Sequence, residues 1–324
     1  NDVSIKNVYQ NIDIKDLKYR SKTNIYLTNF KKFIIKQQPK IIEIHNRPNY
    51  LLKLYERFKN INYILVIHND PLYLKGTITV SERINLLKIC SQIYFVSRWV
   101  EEKFFSGIEK NFYSNYKVVY PSIHKLKKFP KKKNLIVFAG KLNRSKGFPI
   151  FAEAIIKILK KYKNWSSAII GDEPREKYNY SHKRLKYLGW IPYEKVLNYY
   201  SNSSITVVPS QWEEPFGRSS LESGSRGNAV IISNKGGLPE TINLPVILKN
   251  ITAKCIYKEL DNLIKNKILI KKFQHDSFNN PLHLITENIK IIDKDRSNII
   301  NPVSKFNINK NAKLKIFHVY NRAE

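Results

Sequence analysis

Short runs of aliphatic and β-branched residues recur along this chain, each followed by a polar turn and a longer stretch of helical or loop character. They fall at Lys40–Ile44, Tyr63–Ile67, Ile93–Val96 and Lys117–Val119, and again at Leu135–Ala139, Ser167–Ile170, Ile205–Val208 and Ala229–Ile232. Strands that read as continuous apolar runs are covered on both faces, and their alternation with helices predicts parallel sheets in an α/β fold. Around Tyr120-Pro121-Ser122 the rhythm pauses, and Lys125–Lys133 is Lys-rich and contains Pro130, the composition of a connector. With 324 residues there is material for two cores. The expected division is residues 1–122, residues 123–295, and a linker over 296–324.

In the second half, Pro149 opens a helix whose Phe151, Ile155, Ile158, Leu159 and Tyr162 share one face. Tyr257–Lys272 also reads as helical. Near the end, Leu314–Tyr320 has the character of a fresh buried strand after the polar Asn307–Asn311. The chain contains no methionine. Both features suggest a segment of a longer product in which a further α/β domain begins.

Ligands of parallel sheets collect beyond the carboxyl ends of the strands. In the first half those ends carry His45-Asn46-Arg47, His68-Asn69-Asp70 and Ser97-Arg98. In the second, Gly140-Lys141-Leu142-Asn143-Arg144-Ser145-Lys146-Gly147 leads from a strand into the Pro149 helix. Its glycines permit close backbone approach, and its cations can flank a diphosphate at a helix N-terminus, although the spacing is not that of a P-loop. Later, Glu213-Glu214-Pro215-Phe216-Gly217-Arg218-Ser219-Ser220-Leu221-Glu222 places one carboxylate before a helix and one inside it. Free N–H groups at that helix start suit a diphosphate, and the carboxylates suit sugar hydroxyls. The pair could equally be solvated helix-terminus charges.

The decapeptide resembles the E-x7-E element of retaining glycosyltransferases of family 4, and the following Gly224–Ile242 stretch, with its Gly236-Gly237 loop, continues the match nearly residue by residue. The resemblance implies a GT-B fold, two Rossmann-like parallel-sheet domains facing across a cleft. It implies a nucleoside-diphosphate sugar as donor, a hydroxyl acceptor in an envelope polysaccharide, lipopolysaccharide or glycolipid, retention at the anomeric carbon, and neither metal nor cofactor. Donor binding is carried over to Gly140, Lys141, Arg144, Lys146, Gly171, Trp190, Pro215, Phe216, Gly217, Arg218 and Glu222. Glu214 and the strand-end His68 take the catalytic positions, and His45 and Arg47 the acceptor side. Lys141 stands where the family usually has an arginine, so bidentate phosphate contact there passes to Arg144, if to any residue. The glycine-rich loop that follows the family's first strand is missing from the chain, which leaves a catalytically impaired scaffold as an alternative.

The net charge is +31, from 57 Lys and Arg against 26 Asp and Glu. An anionic partner is expected, a phosphorylated substrate, an anionic membrane surface or a nucleic acid, and a basic module that binds nucleic acid or an anionic surface is the alternative function; the dispersed basic residues and the lack of a binding motif count against nucleic acid. AT-rich coding drift toward Lys, Asn and Ile explains the charge equally well. No apolar run reaches membrane-spanning length, so a cytoplasmic protein, peripheral at most, is expected. Cys90 and Cys255 read as two buried thiols.

Overall fold

The structure, a computed structural model, describes residues 22–124, 126–280 and 282, together with the backbone of 316–319. It divides into two compact units between Val119 and Tyr120, and Ile316–Val319 is grouped with the first. The expected linker over 296–315 lies outside the described residues.

The first unit runs α1 (Lys22–Gln37), β1 (Ile41–His45), α2 (Pro48–Tyr55), β2 (Asn62–Ile67), α3 (Val80–Ile89), β3 (Gln92–Phe95), α4 (Arg98–Phe104) and β4 (Tyr116–Val118). The helices start where the local chemistry permits. Pro48 opens α2, and Thr79 and Glu82 form a reciprocal capping box on α3, with bonds of 3.1 and 3.0 Å. The Ser97 hydroxyl accepts from Val100 N at 3.1 Å to start α4. All strand pairs are parallel. Part of the strand expected over 314–320 is present as Ile316–Val319. Ile316–Val319 pairs with β1, giving a five-stranded sheet in which β1 is an interior strand.

The second unit runs β5 (Lys133–Ala139), α5 (Phe148–Lys161), β6 (Ser166–Ile170), β7 (Leu185–Tyr187), α6 (Tyr193–Asn202), β8 (Ser203–Val208), α7 (Arg218–Ser225), β9 (Ala229–Ser233), β10 (Val246–Leu248), α8 (Ala253–Lys265) and α9 (Lys267–Asn279). Its six parallel strands lie in the order β10-β9-β8-β5-β6-β7. Alternate residues of β5 serve the two faces. Ile136 and Phe138 pack with Phe151 and Ile155 of α5 and Leu260 of α8, whereas Val137 packs with Tyr200 of α6. The stretch 257–272, expected to be helical, is shared between two helices. Asn266 ends α8 and caps α9, its Oδ1 accepting from Leu269 N at 2.9 Å. Cys90 is buried, but Cys255 is only half-buried, unlike the expectation.

Lys132, just before β5, ties two helix ends together. Its ammonium donates to the carbonyls of Tyr200 and Ser201 (both 3.2 Å), Arg226 (2.5 Å) and to Asn228 Oδ1 (3.4 Å). These carbonyls belong to the last turns of α6 and α7, where the helix dipoles favour a cation. Burial, and then the Arg226 guanidinium, push its pKa down to about 7. Lys132→Met should lower the unfolding free energy by about 1–3 kcal/mol, because the buried carbonyls lose their donor. The unfolded lysine binds more protons than the folded one between pH 7 and 10, so the wild type should gain stability across that window by at most about 1.4 kcal/mol per pH unit, and the variant should lack this slope. Chemical denaturation at pH 7 and 9 measures both.

Candidate functional site

In the six-stranded sheet the chain leaves β5 toward β6 on one side and reaches β8 on the other. That reversal opens a crevice at the carboxyl ends of β5 and β8, the place where open α/β sheets bind ligands. The two loops there are the two elements singled out in the sequence. They lie in contact: the Ser145 carbonyl accepts from Gln211 N at 2.8 Å and from the Ser210 hydroxyl at 3.2 Å. Gly147, at a φ of 73°, is the N-cap of α5, and a Cβ there would stand 2.0 Å from the Pro209 carbonyl oxygen. Asn143 organises the first loop, its Oδ1 accepting from Lys146 N at 3.0 Å and Ser145 Oγ at 2.9 Å. Neither α5 nor α7 has a side-chain cap, and at the start of α5 the Phe148 N–H donates to the Asn143 carbonyl at 3.1 Å while Pro149 carries no N–H.

Lys146 and Glu214 meet in this crevice. Lys146 Nζ donates to Glu214 Oε1 at 2.5 Å and lies 5.3 Å from the centre of the Trp212 ring. The Glu214 side chain is 9% exposed and that of Lys146 28%. The loop after β9 closes on the same place. Gly237 N donates to the Glu214 carbonyl at 2.7 Å, while Glu213 accepts from Gly236 N at 2.6 Å and Lys235 Nζ at 2.9 Å. Glu213 was not among the expected site residues; its partners lie on a loop that only the fold brings close.

One turn into α7, Glu222 is buried and accepts from Arg218 Nε at 3.1 Å. Burial raises the Glu222 pKa, opposed by Arg218, Tyr193 and Arg226. Tyr193 and Arg226 are further additions that sequence spacing did not suggest. Gly140 and Gly171 meet at the ends of β5 and β6, where Gly140 N donates to the Ile170 carbonyl at 3.0 Å. Gly171 N donates in turn to the Gly189 carbonyl at 2.9 Å, bringing the loop of Trp190 to the same edge with its indole 77% exposed.

Other expected donor residues sit less centrally. The Lys141 and Arg144 side chains are exposed, and what Arg144 engages is its backbone N–H, on Glu176 Oε2 at 3.1 Å. Pro215 is buried, and Phe216 is buried against Tyr120 with ring centres 6.0 Å apart. Phe216 therefore anchors the loop, and Gly217 provides the N-cap of α7.

In the first unit, the ends of β1 and β2 bring His45 and His68 together, His45 Nδ1 lying 2.8 Å from His68 Nε2. Asn46 joins the two strand ends. Its Oδ1 accepts from His68 N at 3.2 Å and Asn69 N at 3.1 Å, and its N–H donates to the Val66 carbonyl at 2.7 Å. Beside them a pocket of roughly 430 Å³ is lined by Asn46, Arg47, Tyr50, Lys53, Tyr73 and Lys75, among others. Its lining contains three cations and no carboxylate.

Residues 120–280 match the family model described as Glycosyl transferases group 1. The spore coat protein SA of Bacillus subtilis is 25% identical over 235 residues, which are 62% of this chain and 62% of that protein. The lipopolysaccharide 1,2-N-acetylglucosaminetransferase of Salmonella typhimurium is 22% identical over 238 residues, 67% of this chain and 60% of that protein. The chain spans less than two thirds of the length of these curated relatives. Among solved structures, Anabaena HepE in complex with UDP-glucose superposes with a TM-score of 0.63 at 13% identity, covering 78% of this chain and 76% of that one. A glycosyltransferase from Rickettsia africae superposes with a TM-score of 0.63 at 18% identity, covering 82% and 79%. The chain thus has a GT-B-type fold of two parallel-sheet α/β units, and its second unit matches the glycosyl transferases group 1 over residues 120–280.

Proposed function

We propose that the protein transfers a sugar from a nucleoside-diphosphate sugar to a hydroxyl acceptor, with retention at the anomeric carbon and without a metal ion. The observation that carries this reading is the Lys146–Glu214 pair, set between two helix starts that lack side-chain caps at the β5/β8 crevice. A donor separates the pair. The Lys146 ammonium turns to the diphosphate, where with the α5 and α7 dipoles it offsets the charge that grows on the leaving group. The Glu214 carboxylate accepts from sugar hydroxyls, and Glu222, buried behind it, accepts from the ribose. Lys141 and Arg144, both exposed, supply further positive charge at the rim. The exposed Trp190 indole offers a stacking surface for the base. HepE, of similar fold, was solved with UDP-glucose, and this supports a uridine donor.

On the acceptor side, the pocket beside Arg47, Lys53 and Lys75 favours an acceptor that bears a negative charge, such as a lipid-linked phosphate. The net charge of +31 fits work at an anionic membrane surface on its cytoplasmic side. Among the described residues no helix is long and apolar enough to cross a membrane.

A panel of nucleotide sugars in a thermal-shift assay tests the reading. One donor should raise the melting temperature of the wild type, by the equivalent of about 2.7 kcal/mol when present at 100 times its Kd. Glu214→Gln should lose most of the shift given by the sugar nucleotide while keeping that given by the nucleoside diphosphate alone. A wild type that responds to no nucleotide sugar overturns the proposal.

A further inference from the structure

Trp212 lies in the loop between β8 and α7 and keeps 45% of its surface open to water, so core packing holds little of it. Its backbone, in contrast, is firmly placed. Trp212 N and Gln211 N both donate to the Ser145 carbonyl, at 3.3 and 2.8 Å, and the Trp212 carbonyl accepts from the Ser210 hydroxyl at 3.2 Å. Ser145 immediately precedes Lys146, whose own N–H donates to Asn143 Oδ1 at 3.0 Å. Two loops distant in sequence are thus pinned together beside the cation. As a result the Lys146 ammonium stands over the indole, 5.3 Å from the ring centre, while it donates to Glu214 Oε1 at 2.5 Å. Trp212 and Glu214 are two positions apart, so one short segment offers a single cation both an aromatic face and a carboxylate.

We infer that Trp212 is a positioning residue of the donor site: the face of its indole holds the Lys146 ammonium while that cation passes from Glu214 to the diphosphate. This rests on the transferase reading above. An ammonium released by a carboxylate can turn to the incoming phosphate oxygens or to water, and a lysine is a strongly hydrated cation on a flexible stem. Water is therefore a strong competitor. The indole face carries the negative side of the ring quadrupole and attracts the cation without taking a hydrogen bond, so all three N–H donors remain available to oxygen ligands. Glu214 and the diphosphate can exchange on the ammonium while the ring keeps its place. Holding the cation at one point in both states spares much of the side-chain entropy that a lysine otherwise loses when it takes up a phosphate. The ring also shields the ammonium from water on one side, which strengthens its attraction for the charge that grows on the leaving group. Indole is the strongest such face among aromatic side chains, so Trp, Phe and Leu at this position form a graded loss of ring attraction with apolar character retained.

The test compares Trp212→Phe and Trp212→Leu, each made in the wild type and in the Lys146→Met background. Titration calorimetry with UDP, GDP and ADP reads the liganded state, and melting temperatures without nucleotide read the empty one. With Lys146 in place, affinity for the nucleoside diphosphate that binds should fall in the order Trp, Phe, Leu, by about tenfold from first to last. In the Lys146→Met background the three side chains at position 212 should bind it equally. A side chain that merely packs would give the same series in both backgrounds. Without nucleotide, Trp212→Leu and Lys146→Met together should lower the melting temperature by less than the sum of their separate effects. Equal affinities for Trp, Phe and Leu beside Lys146, or a series that persists without the lysine, overturn the inference. Where Lys146→Met abolishes binding, the melting temperatures decide: additive losses overturn the inference and coupled losses support it. A protein that binds no nucleoside diphosphate sinks the transferase reading, and the same melting temperatures, read without ligand, still decide whether Trp212 holds Lys146.

Discussion

Lys146→Ala should reduce kcat/KM for sugar transfer by about 10²–10³-fold, a loss of roughly 3–4 kcal/mol of transition-state stabilisation. The ammonium is held in place by a buried carboxylate, at 2.5 Å from Glu214, whereas the Lys141 and Arg144 side chains are exposed. A preorganised charge in a partly dry site acts on the leaving diphosphate without reorganising water. The same replacement leaves Glu214 buried without its cation, so the fold also loses stability, and kinetics alone would mix the two effects. A double-mutant cycle with Glu214→Gln separates them. The two losses should be strongly non-additive in kcat/KM, because each variant already breaks the same pair. Additive losses would show that the two side chains act on separate parts of the reaction.

Gly236→Ala should be among the most damaging single methyl additions in the second unit, with Gly147 and Gly171. The residue has a φ of 58°, and its Cβ would stand 2.0 Å from the Glu214 carbonyl oxygen and 2.7 Å from Glu214 N. Backbone, not a flexible side-chain tip, meets the methyl, so the loop must retreat. It would give up the Gly236 N bond to Glu213 and the Gly237 N bond to the Glu214 carbonyl. The expected cost is about 2–4 kcal/mol of stability, with at least tenfold weaker donor binding. Gly189→Ala is the control. Gly189 has a φ of 61° but open space around its Cβ position, so it should cost only the left-handed backbone penalty, about 1–2 kcal/mol. Denaturation midpoints of the two variants, read beside donor-induced thermal shifts, separate conformation from contact.

Much of this fold was legible because burial on both faces writes a strand as an unbroken apolar run. Ile136–Phe138 and Ile205–Val207 are almost fully buried and were readable for that reason. The edge strands β7 and β10 were not. Each has three residues and only one of them buried, so no apolar run marks it. The break at Asn266 was missed because the chain carries neither glycine nor proline there, and the cap depends on a side-chain rotamer. At the candidate site, the loops that follow strands made Lys146, Glu214 and Glu222 legible as candidates, because their glycines and charges lie close together in the sequence. Tyr193 and Glu213 were invisible, because their partners come from other elements. The burial of Phe216 and its packing on Tyr120 were not legible, because Tyr120 lies on a distant segment.

The closed Lys146–Glu214 pair has a consequence for discrimination. In the empty crevice each partner already satisfies the other, so a visitor must replace both halves of the bargain at once. A free phosphate could draw the lysine away, but it would strand a carboxylate that is 9% exposed. A free sugar could engage the carboxylate, but it would strand the ammonium. Only a molecule carrying anionic phosphate and hydroxylated ring on one frame leaves neither charge orphaned. On the proposed reading the pair therefore favours the intact donor over its fragments, each of which breaks the pair while replacing only one half of it.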